Sequence, residues 1–227
     1  MLPVFQNAGG WTDAFLDPMR QVGDPVADGV VVQAAAQASL DQGTTLTDCL
    51  AAVRTLRAGG VTIPLILMSY ANPPMAYGLE RFGADAALAG ADGFIVPDLP
   101  PEEAGEFLAI AQKHGLALIE FLAPTSNADR IRLVTETAQG FIYLVSVTGV
   151  TGARDQLSSE LPAFVRRVRE MTDLPLSIGF GISQPDHVKQ IKQIADGVIV
   201  ASALLRAFER EGLSATIDLA RQLRSAC

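Results

Sequence analysis

Two hydrophobic periods alternate along most of this chain. Short runs dense in β-branched and aromatic residues predict buried strands at residues 61–70, 93–96, 116–121, 141–147, 174–178 and 197–200. Each run breaks into Gly, Pro, Ser or Asn, and an amphipathic segment follows it. Those segments predict helices near 75–89, over 101–114, from just past Asn127 to Thr137, around 160–171, from the Ser183-Gln184-Pro185 opening, and over 202–226 with an interruption at Gly212. Pro101, Glu102 and Glu103 give the second of these helices an acidic first turn, suited to the positive end of its dipole. Ahead of the first strand, residues 26–40 read as a short helix beyond a Gly23-Asp24-Pro25 turn, and 46–58 as a clear amphipathic helix.

Repeated strand-then-helix units with short connections imply a parallel sheet. Of the two common parallel architectures, the doubly wound sheet carries a glycine-rich first turn, and no GxGxxG follows an early strand here. Instead, the last three strands end in small residues: Thr148-Gly149-Val150-Thr151-Gly152, then Gly179-Phe180-Gly181-Ile182-Ser183, then Ala201-Ser202-Ala203. Backbone amides collected just before helices bind phosphate, and in parallel barrels the loops after the last strands commonly do so. The expected fold is therefore an α/β (β/α)8 TIM barrel forming one domain over 1–227. Before Asp24 there is only an apolar run at 2–5 and the stretch 9–18, where a full barrel places two strands and a helix. The N-terminal β/α units are expected to be compressed or partly missing.

Composition narrows the chemistry. The apolar share of 49% and charged share of 19% describe an ordinary globular protein. A formal charge of -8 argues against a nucleic-acid surface, so a phosphate has to be held by local amides rather than by bulk positive charge. Cys49 and Cys227 lie outside any CxxC, which points to a reduced protein without a metal. His114 and His187 stand isolated in helical, polar surroundings and are expected on the surface. No leader and no membrane-length apolar run occur, so a cytoplasmic location and no membrane partner are expected.

From Asp24-Pro25-Val26-Ala27-Asp28-Gly29 onward the chain resembles the tryptophan synthase alpha subunit family. The likeness continues through Ser69-Tyr70-Ala71-Asn72-Pro73, Val96-Pro97-Asp98-Leu99-Pro100, Ala123-Pro124-Thr125, GFIYLVSVTGVTG at 140–152, GFGISQ at 179–184 and DGVIVASA at 196–203, in family order. This resemblance implies a TIM-barrel lyase that splits indole-3-glycerol phosphate into indole and glyceraldehyde 3-phosphate. It implies no cofactor of its own, and a pyridoxal-phosphate beta subunit as partner in an alpha2beta2 heterotetramer. Asp28 takes the place of the aspartate near the indole nitrogen, and Tyr143 that of the tyrosine close to the catalytic acid. Thr151 and Gly152 match the loop that closes over the substrate. Phe180, Gly181, Ala201 and Ser202 match the phosphate-binding residues, with alanine at 201 where the family has glycine. Tyr70 and Asp98 match positions that line the site or communicate with the partner subunit.

One departure bears on activity. The family's general acid is a glutamate at the end of its second strand, eleven residues ahead of the aspartate matched by Asp28, and at that spacing this chain has Asp17. A second alignment sets Asp13 before that strand and leaves Leu16 or Asp17 at the acid's place. Two functional readings follow: an indole-3-glycerol-phosphate lyase in which Asp17 serves as acid, or an impaired homologue that binds a phosphate ligand or a beta subunit without efficient turnover. A different barrel enzyme acting on a phosphorylated sugar would usually carry a Lys or His in the barrel mouth, and no strand end offers one.

Overall fold

The structure, a computed structural model, describes residues 29–146, 159–179 and 181–227. The chain divides into two compact units, and the division falls within one strand, between Ile119 and Glu120.

The first unit, Gln33–Ile119, holds most of α1 (Val30–Leu40), then α2 (Leu46–Ala58), β1 (Ile66–Met68), α3 (Asn72–Tyr77), α4 (Leu79–Ala89), β2 (Gly93–Ile95), a 3-10 turn at Pro101–Glu103, α5 (Gly105–His114) and the start of β3 (Ala117–Leu122). The strands are parallel in chain order, Ile66 opposite Gly93 and Gly93 opposite Ala117. Helix α2 starts where the sequence places it, because Thr45 and Asp48 close a reciprocal capping box. Its apolar stripe Leu46, Cys49, Leu50 and Val53 is buried. The core is completed by Phe82, Phe94 and Phe107, with ring centroids 5.4 and 6.2 Å apart along the series.

Three expectations here need correction. The strand expected over 61–70 shrinks to Ile66–Met68, because Arg57 Nη1 donates to the carbonyls of Val61 and Ile63 at 2.8 Å each, before the ladder begins. The helix expected near 75–89 is two helices: it opens early at Asn72-Pro73-Pro74 and breaks at Gly78, whose φ of 94° is glycine territory. The acidic turn at Pro101–Glu103 is a separate 3-10 turn ahead of α5.

The second unit, described over residues 29–32 and Glu120–Cys227, carries the rest of β3, α6 (Ala128–Thr137), β4 (Ile142–Val145), α7 (Leu161–Arg169), β5 (Leu176–Gly179), α8 (Pro185–Ile191), β6 (Gly197–Val198) and α9 (Ser202–Ala226), which bends at Gly212. Again the strands are parallel and in chain order, with Glu120 opposite Ile142, Ile142 opposite Leu176 and Ser177 opposite Gly197. Ile142, Leu144, Leu176 and Ile178 pack with Phe164, Val165 and Val168 of α7 and Val188 and Ile191 of α8. Strand residues two apart share a face, so Phe121, Tyr143, Ser177 and Gly179 form the opposite side of this sheet. Strand β6 is shorter than the expected 197–200, although Ile199 N–H still reaches the Ile178 carbonyl at 2.8 Å.

Candidate active site

Tyr143 stands on the sheet face turned away from α7 and α8. Its ring lies 4.6 Å from that of its register partner Phe121, and both Tyr143 and its other partner, Ser177, are buried. The phenol leans along the sheet toward the last residue of β5. A Cβ on Gly179 would meet the phenolic oxygen at 2.1 Å, so the hydroxyl is at the C-terminal end of the strand, the end where parallel barrels place their chemistry.

The loop leaving β5 turns at Gly181, whose φ is 83°, and is pinned by Ile182, which is buried. Next to it, β6 leads to Ala201 and the first residue of α9, Ser202. These are neighbouring strand ends, since Ile178 pairs with Val198. The opening amides of a helix have no partner within it, and the dipole favours an anion there. Ala201 has a φ of -123°, outside the left-handed region that favours glycine, so its backbone does not call for the glycine that the family carries there. The structure thus sets Tyr143, Gly181, Ala201 and Ser202 on three adjacent strand ends of one unit.

In the other unit, Tyr70 follows β1 and is buried. Asp98, in the turn after β2, accepts the N–H of Ala71 on Oδ1 at 2.9 Å, which ties the two loops together directly beside Tyr70. Asp17, Asp28, Thr151, Gly152 and Phe180 lie outside the described residues.

A glutamate and a histidine that the sequence did not single out for a role are buried. Glu120 faces the helix side of β3, opposite Ile142, and is 6% exposed. Burial raises its pKa, and the Thr137 hydroxyl opposes that shift. His187 is a correction to the surface placement, since it is 3% exposed at the start of α8. His114 is mostly covered as well, 3.1 Å from the Glu80 carboxylate. The Ser183 cap is also not realised: Gln184 is the N-cap, and its side chain makes no capping bond.

Among the described residues no cluster of three or more His, Cys, Asp or Glu is arranged to hold a metal ion. No helix among them is long and apolar enough to cross a membrane.

A profile of the family described as tryptophan synthase alpha chain matches residues 21–226. The tryptophan synthase alpha chain of Chloroflexus aggregans is 50% identical over 207 residues, covering 89% of this chain and 78% of that protein. That of Roseiflexus castenholzii is 52% identical over 187 residues, covering 82% and 72%. In three dimensions, a structure of Mycobacterium tuberculosis tryptophan synthase superposes with a TM-score of 0.84 at 39% identity, covering 90% of this chain and 77% of that one. The six parallel β/α units described above are those of that fold. On the profile, the relatives and the fold together, the chain belongs to the tryptophan synthase alpha chain family.

Proposed function

We propose that this chain is the carbon–carbon lyase of tryptophan biosynthesis that cleaves indole-3-glycerol phosphate to indole and glyceraldehyde 3-phosphate. The observation that carries the reading is the span of the likeness, residues 21–226, which takes in every proposed site residue except Asp17. The reaction is a retro-aldol cleavage. An acid protonates C3 of the indole ring, and a base removes the proton from the hydroxyl on the adjoining glycerol carbon. The carbon–carbon bond then breaks, its electrons return to the ring, and the aldehyde leaves. In this reading Asp17 supplies the acid and Asp28 holds the indole N–H. Two carboxylates in unlike environments are suited to divide such roles.

Tyr143 lines the site beside the acid, and Tyr70 lines it from another loop. Thr151, Gly152, Phe180, Gly181, Ala201 and Ser202 hold the phosphate, largely through backbone amides, as suits a chain of charge -8. The reading includes a single cytoplasmic domain over 1–227 and association with a beta subunit as alpha2beta2.

The shortened acid favours one rival. Aspartate in place of glutamate withdraws the carboxyl by one methylene, and a displacement of about 1 Å costs on the order of 10²-fold in rate. Steady-state indole release by the wild type, Asp28→Asn and Asp17→Asn separates the two readings. Turnover by the wild type, with loss of more than about tenfold in both variants, supports the lyase and its acid. An inactive wild type that still binds the substrate supports the impaired homologue. Failure to bind the substrate overturns the proposed site.

A further inference from the structure

We infer that His187 is a positioning residue for the proposed phosphate loop, holding the Gly181–Gln184 segment through the backbone of Ser183. The inference rests on the phosphate reading of that loop given above.

Helix α8 begins at Pro185 without the usual device. Its N-cap is Gln184, whose side chain makes no capping bond. His187, the third helical residue, reaches back instead, and its Nδ1 accepts the N–H of Ser183 at 3.4 Å. The topology is that of a capping box moved by one residue, with imidazole in place of the glutamate or glutamine at the third position. His187 is buried and is followed in sequence by the buried Val188.

Two consequences follow for the loop. Gly179 is held by the strand ladder and Ser183 by the imidazole, and Ile182 is sunk into the core. Gly181, with its φ of 83°, absorbs the turn ahead of Ile182. The Ser183 amide is also committed to the imidazole, so it is not among the donors offered to the ligand. Loosening Ser183 therefore changes the aim of the loop without removing a ligand contact. Such a bond requires Nδ1 to be unprotonated, which sets the neutral ring as the Nε2–H tautomer.

Three measurements on the full chain test this. The first is the ¹⁵N signature of the His187 ring at neutral pH, expected to show an unprotonated Nδ1 and a protonated Nε2; the opposite tautomer overturns the inference. The second compares His187→Asn, whose Oδ1 can take over the acceptor role, with His187→Phe, which fills space and accepts nothing. For His187→Phe, KM for indole-3-glycerol phosphate and the inhibition constant of inorganic phosphate are expected to rise roughly three- to tenfold, the span one hydrogen bond is worth, with kcat within about twofold. His187→Asn is expected to recover most of that loss. A purely structural ring would lower the melting temperature in both variants and leave KM unchanged; that result overturns the inference with the phosphate site intact. The third is amide exchange at Ser183, expected to be protected in wild type and His187→Asn. It decides between the alternatives should His187→Phe fail to fold, and fast exchange in the wild type overturns the inference. A wild type that neither turns over nor binds phosphate removes the phosphate reading and the inference together, and the ring and amide signals then report the local bond by itself.

Discussion

The phenolic oxygen of Tyr143 occupies the space where a side chain on Gly179 would begin. A Cβ at residue 179 would lie 2.1 Å from that oxygen and 2.4 Å from the ring carbon bearing it, distances that real contacts do not show. Glycine is required here by the neighbouring ring and not by its own backbone, since residue 179 is ordinary strand paired with Val145. Interiors are close-packed, so an added methyl has to move the ring.

Gly179→Ala is accordingly expected to displace Tyr143 and lower kcat/KM by more than about tenfold, with far-UV circular dichroism retained. Tyr143→Phe offers no relief, because the ring carbon stays. Tyr143→Ala vacates the space. In a double-mutant cycle followed by urea denaturation, the destabilisations of Gly179→Ala and Tyr143→Ala should sum to more than the double variant shows, by roughly 1–3 kcal/mol. Strict additivity would mean that the two residues do not compete for the same volume.

At the opposite end of the strands a second relationship occurs twice. In the last turn of α7, Arg169 donates through Nη1 to the Leu174 carbonyl at 2.9 Å and pairs through Nη2 with Asp196, whose Oδ2 takes the Leu176 N–H at 2.8 Å. In α2, Arg57 bonds the Val61 and Ile63 carbonyls and pairs with Asp92, whose Oδ2 takes the Leu65 N–H at 2.6 Å. Both aspartates sit in an Ala-Asp-Gly word just ahead of a strand, 91–93 and 195–197. This device links a helix end to the starts of two strands. It lies at the N-terminal face, where parallel barrels keep stability rather than chemistry.

Asp196→Asn should therefore cost about 1 kcal/mol of stability, the ionic part being small because the carboxylate is nearly half-exposed, and leave KM unchanged. Burial by itself would raise the Asp196 pKa. The Leu176 N–H and then Arg169 outweigh it, and the carboxyl is held below its ordinary value of 3.8. The stabilisation is thus present above that value and is lost as pH falls through the lower folded-state value. Urea midpoints of wild type and variant should differ at pH 7 and converge in acid; a gap that persists at low pH would assign the effect to packing instead.

Much of this was legible in the sequence wherever local chemistry decides. The apolar spacing from Leu46 to Ala58 marks α2 at the bounds it has in the structure, and the small-residue strand ends mark the β/α boundaries. The reading failed where a distant partner intervenes. Nothing near Val61 signals that Arg57 will take its carbonyl, and nothing in the text around residue 187 says that the ring will be buried. A helical histidine among Asp186, Lys189 and Gln190 has a polar local context, and its burial is set by the elements that close over it. The placement of Tyr143, Gly181 and Ser202 came from family likeness, and the geometry then supplied what likeness lacks: the collision that makes glycine obligatory at 179.

Glu120 is a group whose burial the local sequence pattern does not reveal. It interrupts the apolar run 116–121, and it faces the helices rather than the side of the sheet that carries Tyr143. Among the described residues its Oε1 has no hydrogen-bond partner, while Oε2 is 2.7 Å from Thr137 Oγ1. That hydroxyl is also 2.9 Å from the Leu133 carbonyl, and it has one proton to give. Both contacts are satisfied when Glu120 is the neutral acid, donating to Oγ1 while Oγ1 donates to Leu133. Burial pushes its pKa above the ordinary 4.5 in the same sense, against the weaker pull of Thr137. A carboxyl raised in the folded state imposes no penalty below its unfolded pKa. It costs stability increasingly as pH rises from there through the folded value. Glu120→Gln keeps the shape and a donor toward Thr137 but does not ionise. The variant is expected to match the wild type within about 0.5 kcal/mol near pH 4 and to exceed it by roughly 1–3 kcal/mol at pH 8, the cost of an unsatisfied buried polar group. Urea denaturation at the two pH values checks this. Equal stability differences at both would show that the Glu120 carboxyl titrates alike in the folded and unfolded chain, and that its burial carries no such cost.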